Sequence, residues 1–294
     1  MEANIWISVF VPMVLMVMMA GIGLSLTGAD FTRAWRNPRA TVIGLSSKLV
    51  LAPLVGLVLI ELMQVGQAVA IGVMLLAFSP GGQTSNVFTY LSRGDAALSV
   101  TLTVLTMVVT MVTLPIMTNW TLDFYGYGNA EVGLSFRDTV VNMLVLVVLP
   151  ISAGMAVRAK FPRLAATIQK PVDRASLFFL FALIVVISVQ VGSGIFDLIA
   201  KAGPICVLLC GVTMGLSFVY AKVGGLEAPQ IKAAIFEAGI ANAAFTIVIA
   251  TSILDAPELS VPAAVYGVVM NVGGLLVMLV LRRNGFGQRQ MQGA

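Results

Sequence analysis

The chain contains no histidine, and only 10% of its 294 residues are charged. Histidine is the commonest metal ligand and the usual proton carrier near neutral pH, so both ordinary roles are removed. Soluble domains carry about 25% charged residues. Here 59% of residues are hydrophobic and the mean hydropathy is +1.01. A soluble globular domain is excluded, and a polytopic all-α membrane protein is what remains. Only two cysteines are present, Cys206 and Cys210, four apart in one apolar run and so on one side of a helix. They read as small packed thiols, not as a disulfide or a metal pair. No nucleotide motif is present, which argues against ATP drive. With no histidine and no clustered pair of aspartates, an intramembrane enzyme would lack both a base and a metal site, so the chain is expected not to be an enzyme.

What is abundant is apolar sequence in lengths near 20 residues, the length that crosses a bilayer. Nine such spans are expected, at about 5–28, 39–62, 68–91, 95–119, 137–157, 174–194, 203–222, 228–254 and 259–281. The first is too long for the apolar region of a signal peptide and lacks a basic flank, so it reads as a retained span. Connectors are short, the longest being about 119–136, and leave no room for a soluble domain. The net charge of +4 is a topology signal, not a nucleic-acid one, because cytoplasmic loops collect Lys and Arg. An external N-terminus puts 14 of the 17 basic residues inside, among them Arg33, Arg36, Arg39, Arg93, Arg158 and Arg282. Outside are only Arg137 and Lys201, and Lys48 lies within a span. The expected topology is N-terminus out and C-terminus cytoplasmic, in the cell inner membrane.

Two spans are interrupted at their centres. The third contains Ser79-Pro80-Gly81-Gly82-Gln83-Thr84-Ser85-Asn86, and the eighth contains Glu237-Ala238-Gly239-Ile240-Ala241-Asn242. Unpaired peptide groups in hydrocarbon each cost several kcal/mol, so such breaks persist only where protein or a wet cavity satisfies them. Broken spans in corresponding halves of a chain are the best sequence pointer to a transporter's binding site. The third and eighth spans are five apart, an odd number, so the matching halves run oppositely through the membrane. That is an inverted repeat with a truncated start.

The ends of broken helices carry partial charges, and their freed carbonyls suit hard cations. Ser85, Asn86 and Glu237 supply oxygen ligands for Na⁺ beside the breaks. Ser99 and Thr103, four apart on the fourth span, add two hydroxyls on one face, although such hydroxyls also bond back to their own helix. Glu237 and Lys48 are the two ionisable residues deep in the membrane. A mid-span carboxylate costs at least about 2.5 kcal/mol unless paired, coordinated or protonated. Lys48 lies roughly 15 Å from the inner surface, and its stem reaches only about 6 Å, so an interior partner is expected. Glu237 is the deep carboxylate available. Asn142 and Asn271 are amides within spans, one of which lines a cavity in this reading.

The two motifs, SPGGQTSNVFTYLSRGDAALSVTLT and FEAGIANAAF, resemble those of the bile acid:sodium symporter family. The resemblance covers nearly the whole chain. It implies a panel domain and a core domain, with the two broken helices crossing in the core. The core is expected around 68–119 and 203–281, and the panel from 5–62 and 137–194. The family imports organic anions with Na⁺; its bacterial and plastid members resemble carriers of small acids such as pantoate and 2-oxo acids. Its first sodium site carries over as Ser85, Asn86, Ser99, Thr103 and Glu237. Its second does not: the family's glutamine after the second break is Ala241 here, and a glutamine five residues before Pro53 is Lys48. The expectation is therefore a carrier of a small organic anion coupled to one Na⁺, with Lys48 in the second sodium's place and paired with Glu237. A proton-coupled carrier independent of Na⁺ is the alternative. A channel or non-transporting receptor on the same fold, and an efflux carrier of a related fold, are the further readings. For the substrate, the half-helix amides near Gly82, Gln83, Thr84 and Gly239, with Asn242 and Asn271, are expected to bind the anion, helped by Lys48. The lipid bilayer is the only other expected partner; no nucleic acid or obligate protein is.

Overall fold

In the computed structural model the described residues are 37–126, 144–169, 195–254 and 256–283, with isolated positions between 12 and 24 and at 141, 171, 175, 178 and 286. Most of the span expected at 174–194, most of that at 5–28, the start of that at 137–157 and most of the 119–136 connector lie outside them. So do Arg33, Arg36, Arg137, Asn142, Lys170, Arg174 and Arg289.

The described regular structure is helical apart from one isolated antiparallel bridge, Gly81 with Ala241. Helix α1 is Pro38–Met63, α2 Gln67–Phe78, α3 Gln83–Leu91, α4 Ala96–Phe124 and α5 Leu149–Lys160. After these come α6 Ile195–Val223, α7 Ala228–Gly239, α8 Ala243–Ile253 and α9 Val261–Arg283. Among the described residues, four helical segments are long and apolar enough to cross a bilayer: Pro38–Met63, Ala96–Phe124, Phe196–Val223 and Pro257–Arg283.

The element order repeats. A long helix, a 12-residue half-helix, a break, a second half-helix and a long helix occur as α1–α4 and again as α6–α9. The half-helices α2, α7 and α8 are apolar or buried almost all round, as helices enclosed by others must be. Ile71 and Met74 of α2, Leu102 of α4, Phe236 of α7 and Phe245 of α8 are inaccessible or nearly so. The outer faces of α6 and α9 differ: Val212, Leu216, Val219, Val272, Leu276 and Val280 remain exposed. Such a face suits lipid or another apolar helix.

Prolines shape two helices in the same way. Pro53 has no N–H to give the carbonyl four residues back, and α1 opens there into a π turn, Ser47–Leu51. A π turn at Leu144–Val148 likewise precedes Pro150. Wide turns of this kind recur at functional positions, and the one in α1 contains Lys48.

One helix departs from its expected bounds. The helix expected at 203–222 begins at Ile195, and Lys201, expected in an outer loop, sits on it. Its Nζ pairs with Asp197 one turn away at 2.6 Å, with both side chains more than half exposed. A polar, water-facing first turn thus extends the helix beyond its apolar part. The segment 39–62, expected in the panel, packs as α1 against α6, α7, α2 and α4, directly on the crossed helices.

Candidate ion and substrate site at the helix crossing

The two breaks satisfy each other. Pro80 cannot donate, and Ser79 before it is extended (ψ 154°), as a residue preceding proline tends to be. The Ser79 hydroxyl donates to the Leu76 carbonyl at 2.7 Å, one of the carbonyls left at the end of α2. Across the crossing, the Gly82 N–H donates to the Ile240 carbonyl (2.8 Å), and the Asn242 N–H donates to the Pro80 carbonyl (2.9 Å). The unwound backbones are therefore paired in the way bilayer depth requires. Glycine is needed for this approach. A Cβ on Gly82 would stand 2.7 Å from the Ala241 carbonyl oxygen, and one on Gly81 would overlap the Glu237 carboxylate.

The second break has no proline. Helix α8 is started by Asn242, whose side-chain oxygen accepts the Phe245 N–H at 3.1 Å, the usual work of an N-cap. The Gly239 carbonyl, freed at the end of α7, accepts the Tyr266 hydroxyl of α9 at 2.7 Å. The Cys210 thiol lies 3.9 Å from the same oxygen. Both cysteines are free and buried.

Glu237 lies at the centre of the crossing and is fully buried. Three hydroxyls donate to it: Ser85 (2.9 Å) and Thr103 (2.8 Å) to Oε2, and Thr106 (3.1 Å) to Oε1. Thr103 also lies 3.4 Å from the Asn86 side-chain oxygen. Thr106 accepts the Gly81 N–H at 3.3 Å, which ties the carboxylate to the first break. The expected ligands Ser85, Asn86, Thr103 and Glu237 are thus brought together. Ser99 stands one step away: its hydroxyl donates to Thr89 at 3.2 Å, and both are buried. Two site residues were not anticipated. Thr106 carried a signal, since 99, 103 and 106 follow the helical period on α4. Tyr266 carried none, being an aromatic residue in an apolar helix.

Lys48 is 1% exposed, so its amine does not snorkel to the surface. Among the described residues, however, its Nζ makes no hydrogen bond and no ion pair within 4.0 Å, so the expected direct pairing with Glu237 is absent in this conformation.

Among the expected substrate groups, Gln83 and Thr84 occupy the first turn of α3, where amides have no acceptor within the helix. The Thr84 hydroxyl is buried without a partner. The Gly82 amide is taken by Ile240, and Gly239 packs against Met214 with its carbonyl taken by Tyr266. Asn242 is buried as the cap of α8, and Asn271 donates to the Gly267 carbonyl of its own helix at 2.6 Å. Among the described residues no group of three His, Cys, Asp or Glu could hold a metal. The donor set at the crossing, one carboxylate with hydroxyls and an amide oxygen, suits a hard monovalent cation.

The sequence model of the sodium bile acid symporter family matches residues 12–198, which include the first break. The chain belongs to the sodium bile acid symporter family. That makes it a membrane transporter and not an enzyme. It is 28% identical over 276 residues to an uncharacterized sodium-dependent transporter, YocS, of Bacillus subtilis (strain 168), covering 92% of this chain and 83% of the relative. It is 26% identical over 271 residues to a probable chloroplastic sodium/metabolite cotransporter, BASS2, of Oryza sativa subsp. japonica, covering 91% of this chain and 62% of that one. It is also 26% identical over 214 residues to the sodium/bile acid cotransporter 4 of Homo sapiens, covering 73% of this chain and 48% of that one. The chain spans less than two thirds of the plant and human proteins.

Proposed function

We propose that the protein is a secondary active transporter that imports a small organic anion with one Na⁺ by alternating access. The observation that carries this reading is the buried Glu237 carboxylate, ringed by Ser85, Thr103 and Thr106 beside Asn86, where two broken helices meet. A bound Na⁺ takes ligands from Ser85, Asn86, Ser99, Thr103 and Glu237. It replaces hydroxyl protons as the partner of the carboxylate, and the hydroxyls turn their lone pairs to the ion. The relatives' descriptions as sodium-dependent or sodium-coupled support the choice of ion.

Lys48 and Ala241 leave no second set of side-chain oxygens, so one ion is the stoichiometry we assign, with the ammonium supplying the other positive charge. The anion is held by the free amides at the start of α3 around Gln83 and Thr84, by Asn242 and Asn271, and by the positive field of Lys48. With no arginine at the site, this suits a monocarboxylate: a 2-oxo acid, a pantoate-like acid or a larger bile-acid-like one. In the full chain we assign nine spans and an inverted repeat, α1–α4 against α6–α9. Because α1 packs on the crossed helices, we place it with the core, and the panel comes from the first, fifth and sixth spans. We place the N-terminus outside and the C-terminus inside, in the plasma membrane.

The second reading is a proton-coupled carrier of the same fold, independent of Na⁺. The unpartnered, buried amine of Lys48 favours it, since such a group can release and regain a proton during the cycle. One experiment separates the two. The purified protein is heated with a panel of small carboxylates, pantoate and 2-oxo acids among them, in Na⁺ and in choline at two pH values. Stabilisation that requires Na⁺ supports sodium coupling. Stabilisation that ignores Na⁺ and follows pH contradicts it and establishes the second reading.

A further inference from the structure

The half-helices α3 and α7 carry Ser85, Asn86 and Glu237, and contacts at successive levels tie the two together. The Ser85 hydroxyl donates to the Glu237 carboxylate at 2.9 Å. Three residues on along α3, the Phe88 ring stacks on that of Phe236, with centroids 5.7 Å apart. One turn further, the Lys232 amine donates to the Ser92 carbonyl at 2.9 Å. Beyond it, the Asp95 N–H donates to the Pro229 carbonyl at 2.9 Å. The contacts advance along α3 as they retreat along α7, so the half-helices are antiparallel. Positions 85, 88 and 92 on one and 229, 232 and 236 on the other follow the helical period.

Lys232 stands out in this row as a lysine only 5% exposed. Its amine is set at the end of α3, which Ser92 caps. The carbonyls there lack partners within the helix and carry partial negative charge, so a cation is favoured. The Phe286 ring, beyond the end of α9, covers the amine: its centroid lies 5.9 Å from Nζ, within cation–π reach. That ring packs in turn on Phe218 of α6, with centroids 5.7 Å apart. The Phe286 N–H donates to the Leu281 carbonyl of α9 at 3.3 Å. The turn after α3 is shaped for the approach of the lysine stem. Arg93 adopts a left-handed φ of 55°, and a Cβ on Gly94 would stand 3.0 Å from the Lys232 Cβ. The Gly94 N–H donates to the Thr89 carbonyl at 2.8 Å, and the Thr89 hydroxyl accepts from Ser99 at 3.2 Å. The turn that Lys232 holds is therefore tied to Ser99 as well.

We propose that Lys232 is a positioning residue for the ion site, clasping the end of α3 to α7, with Phe286 as the cover of its ammonium. This rests on the sodium site proposed above. Ser85 and Asn86 come from one half-helix and Glu237 from the other, so the ligand set is complete only while the two are apposed. An ion then binds with an affinity scaled by the fraction of molecules in which they are apposed. Lys232 raises that fraction without touching the ion. Phe286 brings the segment after α9 into the clasp, so that segment also bears on sodium affinity.

The test uses the full chain and Na⁺ itself as the probe, with half-saturating Na⁺ read from thermal stabilisation. Lys232→Met keeps the apolar stem and removes the charged donor, and is expected to raise half-saturating Na⁺ about tenfold. Lys232→Arg, which can still donate to the Ser92 carbonyl, should stay near the parent. A lower melting temperature in Lys232→Met with unchanged half-saturation would mean a merely structural role and overturns the proposal, as does an equal shift in Lys232→Arg. If Lys232→Met does not fold, Phe286→Leu decides: uncovering the ammonium is expected to raise half-saturating Na⁺ about threefold, and no shift overturns the clasp. If Na⁺ fails to stabilise even the parent, sodium coupling is what has failed. The clasp is then decided by amide exchange without Na⁺. Faster exchange confined to residues 85–95 in Lys232→Met and Phe286→Leu supports it, and unchanged or uniformly faster exchange overturns it.

Discussion

At the scale of single residues, the proposed sodium site rests on what Glu237 is given and what it is denied. Three hydroxyls and a neighbouring amide oxygen surround it, while among the described residues no Lys or Arg nitrogen comes within 4.0 Å of it. Lys48→Gln with Ala241→Gln restores two side-chain oxygens and removes the ammonium. Sodium dependence of stabilisation is then expected to become steeper and to require more than one ion. Unchanged cation behaviour in that double variant would show that Lys48 does not stand in for sodium. That Ser85, Asn86, Thr103 and Glu237 come together was legible in the sequence because polar residues beside a broken apolar span must be satisfied. Thr106 was harder to see. A threonine mid-helix is usually silent, and only the carboxylate's second oxygen, tethered also to the Gly81 amide, reveals its role. Lys48 was legible as an interior residue but not as an unpaired one, because pairing depends on side-chain positions across three helices.

At the scale of elements, the breaks were readable and their supports were not. Pro80 with two glycines announces the first break; Gly239 and Asn242 announce the second. What holds each break open is non-local. The crossing bonds run from residues 80 and 82 to residues 240 and 242, and the free end of α7 is held from α9 by Tyr266. Tyr266→Phe removes the one hydroxyl that satisfies the Gly239 carbonyl, leaving a thiol at 3.9 Å. The expected loss is about 1–3 kcal/mol, seen as a lower melting temperature and faster amide exchange in residues 239–243. A variant with parental melting temperature and exchange would mean that the break needs no support from α9. The π turns have the same character. Pro53 and Pro150 are visible in the sequence, but whether a proline kinks a helix or widens it by one residue depends on the neighbours packed around it.

At the scale of the whole molecule, the repeated order of long helix, half-helix, break, half-helix and long helix was legible from the two interrupted apolar segments. The grouping of helices was not. Periodicity tells which face of α1 is apolar, not which helices it lies on, and α1 proves to pack on the crossed pair. The start of α6 was misplaced for a related reason: hydropathy marks the apolar part of a helix, while the Asp197–Lys201 turn continues it into water. The account as a whole makes one demand, that a sodium ion at the crossing drives an anion through the protein. The measurement that tests it most directly is uptake of a stabilising carboxylate into proteoliposomes under an inward Na⁺ gradient, with Glu237→Gln as the comparison. The account predicts uptake that saturates with Na⁺ as a single site, collapses when choline replaces Na⁺, and is lost in Glu237→Gln. Uptake that persists in choline and follows a pH gradient instead would contradict it.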